Sequence, residues 1–599
     1  MNNKKRISIV LIICMLVCCS CSSTSSKNTA DGNSVDTNSV QDNKTASNGS
    51  DAKDDAGLEV NQNDASENTA EDSLDVNNYV EYIYNQELNV IDDIYRTYYE
   101  VFLYSYYDSN GDGIGDINGL ISKLDYLNDG DDSTDTDLGI NGIWLMPMMP
   151  STTYHKYDVI DYYGIDSEYG SLEDFKNLIA ECDKRGIKVI IDFVINHTST
   201  QNEWFKSAVK SLGIEPCGQK TCNVEGLCRE HNPYCGYYNF AEGKPASGKY
   251  YSTGQGDWYY EGVFWDQMPD LNLADANLRT ELETIMKYWL DMGVGGFRLD
   301  AAKEFYSGNT EKNVEILKWV TDYVKGLNPD NYLVAEVWDS FGTMSQYYAS
   351  GIDSLFNFPF AQEQGKIVTT LNYTGDNNSG SSFGRAMVTV QDKFRSFNEN
   401  MIDASFFSNH DTARAAGYFN YKIDKIKMAA GMNLMMAGNS FIYYGEELGM
   451  SGSGRDENKR APMYWSTTDV TGMTAGPKEM ETVTHNFGTY EDQVDDPMSL
   501  YNYYKRAVRL RNENPEIARG TTQVIDALNQ GDIAAITRTY GDSSVAILYN
   551  VSEEAANVSL KDSGLNTEGI RGYLSTDGAA VTLEGDIVNM PPYSIVVLK

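Results

Sequence analysis

Four short segments concentrate the side chains able to do nucleophilic or acid–base work. They are Asp192-Phe-Val-Ile-Asn196-His197, Gly296-Phe-Arg298-Leu-Asp300, Ala335-Glu336-Val-Trp338-Asp339 and Ser408-Asn409-His410-Asp411. Each closes or follows a short apolar run of strand type. If those runs are parallel strands, their polar ends gather on one rim, where carboxylates and imidazoles can act as nucleophile, general acid and general base. Taken singly, an Asp after a strand is as readily a helix cap as a catalyst. Only the set points to chemistry.

The elements that must position these groups follow from patterning. Strand-like runs at Val101 to Tyr106, Gly142 to Met146, Val189 to Val194, Gly295 to Leu299, Tyr332 to Glu336, Ser354 to Phe356, Asp403 to Phe406 and Phe441 to Tyr443 alternate with helical stretches. That alternation predicts an α/β fold, a (β/α)8 TIM barrel. The gap between the third and fourth runs is too long for one crossover helix, so residues 197–272 form an inserted small domain between barrel parts 81–196 and 273–518. Beyond about Gly520 the helical signal ends, and runs such as Val545 to Tyr549 and Tyr593 to Leu598 predict a C-terminal all-β sandwich over 519–599.

A chain of 599 residues exceeds a single core and divides into domains. Its formal net charge of -40 repels phosphate backbones, which argues against nucleic acid. With 12% aromatic residues it suits a neutral partner such as a polysaccharide, whose sugar rings present an apolar C–H face. Lys4, Lys5 and Arg6 precede an apolar run from Ile7 to Val17, too short to span a bilayer comfortably, and then Ser20-Cys21. Residues 1–20 are expected to be a signal peptide, with Cys21 lipidated on the outer face of a bacterial cell membrane; Cys18 departs from the usual lipobox, and plain secretion or an uncleaved anchor is the alternative. Residues 21–80, poor in aromatic and branched apolar side chains, are expected to be an acidic tether.

Taken together, the four segments resemble the signature regions of glycoside hydrolase family 13, the α-amylase family. Met268-Pro-Asp-Leu-Asn272, Tyr154-His-Lys-Tyr157-Asp158 and Tyr443-Tyr-Gly-Glu-Glu-Leu-Gly449 resemble three further motifs of that family, in its order. The resemblance spans roughly residues 95 to 599 and implies α-glucan as substrate. It implies Asp300 as nucleophile, Glu336 as general acid/base and Asp411 as a third carboxylate gripping sugar hydroxyls. Physical chemistry asks for the same pair, since cleaving an acetal with retention needs an attacking carboxylate and an acid about 5–5.5 Å away. Arg298, on the same strand face as Asp300, can hold negative charge there. Tyr157, His197 and His410 are expected to bind the same sugar, with Lys303, Glu304, Trp338 and Arg414 as further substrate contacts. Either histidine has the alternative of a barrel-core role.

Asp108-Ser-Asn110-Gly-Asp112-Gly113-Ile114-Gly-Asp116 carries the oxygen ligands of an EF-hand at positions 1, 3, 5, 7 and 9, with Gly at 6. Position 12 is Gly119, where a bidentate Glu belongs. The loop resembles a calcium loop of many family members, and Ca2+ is the expected cofactor against a bare acidic turn. Asn196 resembles a ligand of a second calcium site. Cys217, Cys222, Cys228 and Cys235 are spaced C-x4-C-x5-C-x6-C. None of those spacings is the two residues that structural zinc sites favour, so two disulfides of open connectivity are expected, with Cys182 left as a thiol.

Endo-hydrolysis of α-1,4-glucan by a monomer is the main expectation. His155 and Lys156 stand where exo-acting glucosidases of the family carry an Asp-x-Gly block. Glu304 after Lys303 resembles the neopullulanase and cyclodextrin-degrading branch, and transglycosylation shares the same intermediate. A non-catalytic glucan receptor is the rival from another class, and the intact acids argue against it.

Overall fold

A computed structural model describes residues 91–222, 227–375 and 378–599. The expected signal peptide, Cys21 and the tether lie outside the described residues. Eight parallel strands build the main sheet: β1 (Thr97–Val101), β2 (Gly142–Leu145), β3 (Lys188–Phe193), β7 (Gly296–Leu299), β8 (Tyr332–Ala335), β9 (Ser354–Leu355), β10 (Ala404–Phe406) and β11 (Asn439–Tyr443). Their order is β10-β11-β1-β2-β3-β7-β8-β9. A parallel bridge between Phe356 and Ala404 joins the ends, with the Asn357 N–H donating to the Ala404 carbonyl at 2.9 Å, so the sheet closes into a barrel.

The first expected strand is displaced. The strand is Thr97–Val101, paired with β11 and β2, and Leu103–Ser105 is a 3-10 turn. Aromatic residues at Phe102, Tyr104 and Tyr106 imitate β-propensity, but their rings pack on loop aromatics: Tyr104 on Tyr154, Tyr106 on Trp465.

Period-two alternation sets the barrel's contents. Inward-facing Tyr98, Trp144, Ile190, Val334, Phe356, Phe406 and Phe441 form one apolar cluster, with Tyr98 stacked between Tyr332 and Phe441. Two residues further on, the same face of β1, β3 and β8 is acidic: Glu100, Asp192 and Glu336. Arg298 is paired to Asp192 on one side and Val334 on the other. A polar storey therefore stands on an apolar floor. Gly296 is required below it, because a Cβ there would lie 1.8 Å from the Tyr332 carbonyl oxygen.

Between β3 and β7 lie the helix Glu203–Leu212 and a small antiparallel sheet of β4 (Phe240–Glu242), β6 (Trp258–Glu261) and β5 (Tyr250–Ser252). A bridge from His197 to Asp270 and the Leu271 N–H donating to Asn196 O at 2.8 Å fasten this stretch to the residues after β3, and a bridge from Tyr238 to Leu271 ties it together within. After Gly520 a five-stranded sheet runs in the order β12 (Thr521–Val524), β13 (Ile533–Tyr540), β14 (Ser543–Asn550), β19 (Ser594–Leu598) and β16 (Ile570–Ser575), and in a three-stranded sheet β18 (Ile587–Met590) lies between β15 (Ala556–Ser559) and β17 (Thr582–Glu584). Ala535, Leu548 and Val596 of the larger sheet pack with Val558 and Val588 of the smaller one.

Candidate active site

The parallel ladder places the two central carboxylates. Leu299 of β7 pairs with Ala335 of β8, so Asp300 and Glu336 leave adjacent strands one residue later, at the strand spacing of about 4.8 Å. The pairing continues past the strand ends: the Glu336 N–H donates to Leu299 O at 3.0 Å, and the Ala302 N–H to Glu336 O at 3.0 Å. Ala301, at φ 45°, turns the chain out of the strand just after Asp300.

One guanidinium serves both acids. Arg298, fully buried, donates from Nη1 to Asp300 at 2.7 Å and to Asp192 at 2.9 and 3.1 Å, while Nη2 donates to Glu336. Its positive charge offsets part of the repulsion among three close carboxylates. Burial raises the Glu336 carboxyl, Arg298 opposes it, and Asp300 and Asp411 push it up again, to about 7. Burial likewise raises Asp192 to about 6. A carboxyl near 7 is half-protonated at neutral pH, as an alternating acid and base must be.

A second chain of bonds organises the opposite wall. His410 Nδ1 lies 2.5 Å from Glu100 Oε1, and its Nε2 lies 2.8 Å from the Tyr157 hydroxyl and 3.1 Å from Asp411 Oδ2. The Tyr157 hydroxyl also donates to Asp192 at 3.1 Å. Burial favours a neutral imidazole, but Asp411 and Glu100 outweigh it and raise His410 to about 10, so it is an imidazolium donating from both nitrogens. Burial would raise Asp411; His410 and Arg460 overcome it and hold the carboxyl far below the usual range. Arg460 donates to Asp411 at 3.2 Å and to Tyr154 at 2.9 Å.

The other expected contacts divide. Lys303 and Glu304 form a turn past Asp300, where Lys303 Nζ donates to Trp338 O at 2.8 Å and lies 3.7 Å from Asp339. Trp338 stacks on Phe358 and is 44% exposed, and Phe264 and Trp265 are as open at 45% and 46%, so the rim offers bare aromatic faces. His197, 5.3 Å from the Phe264 ring, is kept neutral by burial, and its Nε2 has no partner among the described residues. Arg414 is a correction: its guanidinium is buried and donates to the carbonyls of Lys459 at 2.9 Å and Tyr444 at 2.6 Å, so it braces loops. Lys156 is likewise buried and paired with Asp166 at 2.9 Å.

Sequence reasoning misses Glu100 and Arg460. Glu100 belongs to the displaced first strand. Arg460 lies in an irregular stretch where no periodicity marks it.

The Asp108 loop has the donor chemistry of a calcium loop without its twelfth ligand. Asp108 accepts from the N–H groups of Asn110, Gly111 and Gly113, Asn110 from that of Asp112, and Asp112 from that of Ile114. These bonds wind the loop and leave lone pairs on Asp108, Asn110 and Asp112, with the Ile114 carbonyl, for a hard cation. Asp116 is committed elsewhere, accepting from Ser109 N–H at 2.9 Å and capping the next helix through Gly119 N–H at 2.7 Å. A Cβ on Gly119 would lie 1.9 Å from Tyr107 O, which excludes the Glu of an EF-hand. At Asn196 the side chain meets Asp270 at 3.4 Å and His197.

The expected disulfides are a second correction. Cys222 Sγ and Cys228 Sγ lie 3.7 Å apart, against about 2.05 Å in a disulfide, and Cys235 turns its sulfur to the Ala208 carbonyl. No disulfide joins any of the described cysteines.

A closed parallel barrel with buried acids sharing one arginine at the C-terminal rim is a glycoside hydrolase architecture. Residues 100–520 match the model of the alpha amylase catalytic domain, and the chain belongs to that family, glycoside hydrolase family 13. It is 36% identical to "Alpha-amylase 3" of Dictyoglomus thermophilum over 459 residues, covering 76% of this chain and 84% of that one. It is 28% identical to an oligo-1,6-glucosidase of Parageobacillus thermoglucosidasius, covering 78% and 91%. Among solved structures, Eubacterium rectale Amy13B superposes with a TM-score of 0.80 at 42% identity, covering 87% of this chain and 98% of that one.

Proposed function

We propose that the chain hydrolyses internal α-1,4 bonds of starch and maltooligosaccharides with retention. The observation that carries this is Asp300 and Glu336 on adjacent strands, both held by Arg298. In the first step the Asp300 carboxylate attacks the anomeric carbon, the glycosidic C–O bond breaks, and Glu336 gives its proton to the leaving oxygen. In the second, the Glu336 carboxylate takes a proton from water, the water oxygen attacks the same carbon, and the Asp300 ester is released. Asp411, fixed by His410 and Arg460, receives hydroxyls of the distorted sugar, and His197 offers it the unpartnered Nε2. Trp338, Phe264 and Trp265 supply stacking faces for neighbouring glucose units, which favours a polymer.

Calcium in the Asp108 loop, held by Asp108, Asn110, Asp112 and the Ile114 carbonyl, supplies structural charge neutralisation away from the acids. The leader and Cys21 support placement on the outer face of the cell membrane.

Product analysis from amylose, pullulan and maltotriose tests this reading. Amylose should lose iodine colour well before its reducing ends approach completion. Release of glucose alone from chain ends, or products longer than the donor, would refute it. Pullulan cleavage at a comparable rate would favour the neopullulanase reading to which Glu304 beside Lys303 points.

A further inference from the structure

We propose that Cys217, Cys222, Cys228 and His231 hold a structural zinc ion in the segment inserted between β3 and β7. Three sulfurs and one imidazole nitrogen converge there, all within 4.8 Å of one another. Two of the edges have the lengths zinc requires, and a third is shorter. Tetrahedral zinc, with Zn–S near 2.3 Å and Zn–N near 2.05 Å, places sulfurs about 3.8 Å apart and sulfur and nitrogen about 3.6 Å apart. Here Cys222 and Cys228 are 3.7 Å apart, Cys217 Sγ is 3.6 Å from His231 Nδ1, and Cys228 Sγ is 3.2 Å from it.

The chain is folded to present these ligands. The N–H groups of His231 and Asn232 both donate to Cys228 O, at 3.0 and 3.1 Å, closing the turn that brings Cys228 and His231 to one side. The Cys228 N–H donates to Cys222 Sγ at 3.3 Å, a bond that favours a thiolate. The spacing Cys228-x2-His231 is the two-residue interval of structural zinc sites. Thiolate ligands in a tetrahedral S3N set select zinc over calcium or magnesium, which take oxygen.

The site also answers a structural need. From the end of the helix Glu203–Leu212 to the 3-10 turn Pro233–Gly236 the described residues contain no helix or strand. Connections longer than about 12–15 residues without secondary structure are uncommon in compact domains unless something holds them. Ser211 Oγ donates to Leu227 O at 3.1 Å, Asn232 Nδ2 to Ser211 Oγ at 2.8 Å and the Gly218 N–H to Glu230 at 3.3 Å, and a metal adds a tie that joins Cys217, Cys222, Cys228 and His231 at one point. Immediately downstream the Tyr238 hydroxyl lies 2.9 Å from Thr198 Oγ1, beside His197, so the ion steadies one wall of the cleft.

The full chain, purified with excess calcium present, should carry about one zinc per molecule by elemental mass spectrometry. Iodoacetamide should spare Cys217, Cys222 and Cys228 until a zinc chelator is added, then label all three without a reductant. Cys217→Ser and His231→Ala should each fall below about a tenth of an equivalent, and Cys235→Ser should keep full zinc. Should the first two variants fail to fold, cobalt loaded into the apo wild type should show thiolate-to-cobalt charge-transfer absorption. Three results would each overturn the proposal: labelling that needs reductant rather than chelator, full zinc in His231→Ala, or zinc lost equally in Cys235→Ser.

Discussion

Replacing Arg298 by lysine keeps a positive charge in the barrel and removes the fork that reaches Asp300 with one nitrogen and Glu336 with the other. An ammonium on a shorter stem keeps one partner at most. Glu336 loses a charge-assisted hydrogen bond worth about 1.5–3 kcal/mol, and at 1.36 kcal/mol per pKa unit its carboxyl should rise by about 1–2 units. The Arg298 charge is the largest influence opposing burial there, and an ammonium drawn back from the carboxyl on the shorter stem weakens it, so the direction is upward from about 7. The alkaline limb of kcat, where the acid loses its proton, should move to about 8–9 while kcat drops on the order of 100-fold from the misplaced nucleophile. Initial rates on a chromogenic maltooligosaccharide across pH 5 to 10 measure both. Mere destabilisation would lower the rate without moving the limb upward. An unmoved or lowered limb, or a rate within about threefold of wild type, would refute the shared-guanidinium argument.

Glu100→Gln removes one of the carboxylates that keep His410 charged. A histidine raised to about 10 contributes stability that is fully present below its unfolded pKa of about 6.5 and is lost as pH rises through about 10. The variant should therefore lie furthest below wild type in Tm at about pH 6, less so at neutral pH, and approach it by pH 10; a constant gap would contradict the imidazolium. Calcium in the Asp108 loop should raise Tm after EGTA treatment, by an amount worth about 2.7 kcal/mol at a hundredfold excess over Kd, and Asp108→Ala should abolish that response. An Asp108→Ala variant that responds as wild type does would place the ion elsewhere.

What was legible in the sequence divides along physical lines. Arg298, Asp300 and Glu336 stand at strand ends, and period two with parallel register brings them together almost whatever the loops do, whereas His410 and Asp411 lie in the turn after β10 and are marked by their motif. Glu100 is hidden because the apolar, aromatic run after it outscores its own strand, whose pairing is settled by β2 and β11 far along the chain. Arg414 and Arg460 look alike in sequence, as cations beyond strands. Only tertiary contacts give one to backbone carbonyls and the other to Asp411. His231 escapes when cysteines alone are counted, since the interval of two runs from a cysteine to a histidine.

The central claim is that Asp300 bonds covalently to the sugar while Glu336 moves the proton. Glu336→Gln, reacted with an activated fluorinated α-glycosyl donor that needs no acid to depart, should accumulate a glycosyl-enzyme, and peptide mass spectrometry should place the adduct on Asp300. An adduct on Asp192 or Asp411, or a first-formed product of inverted anomeric configuration from the wild type, would contradict it.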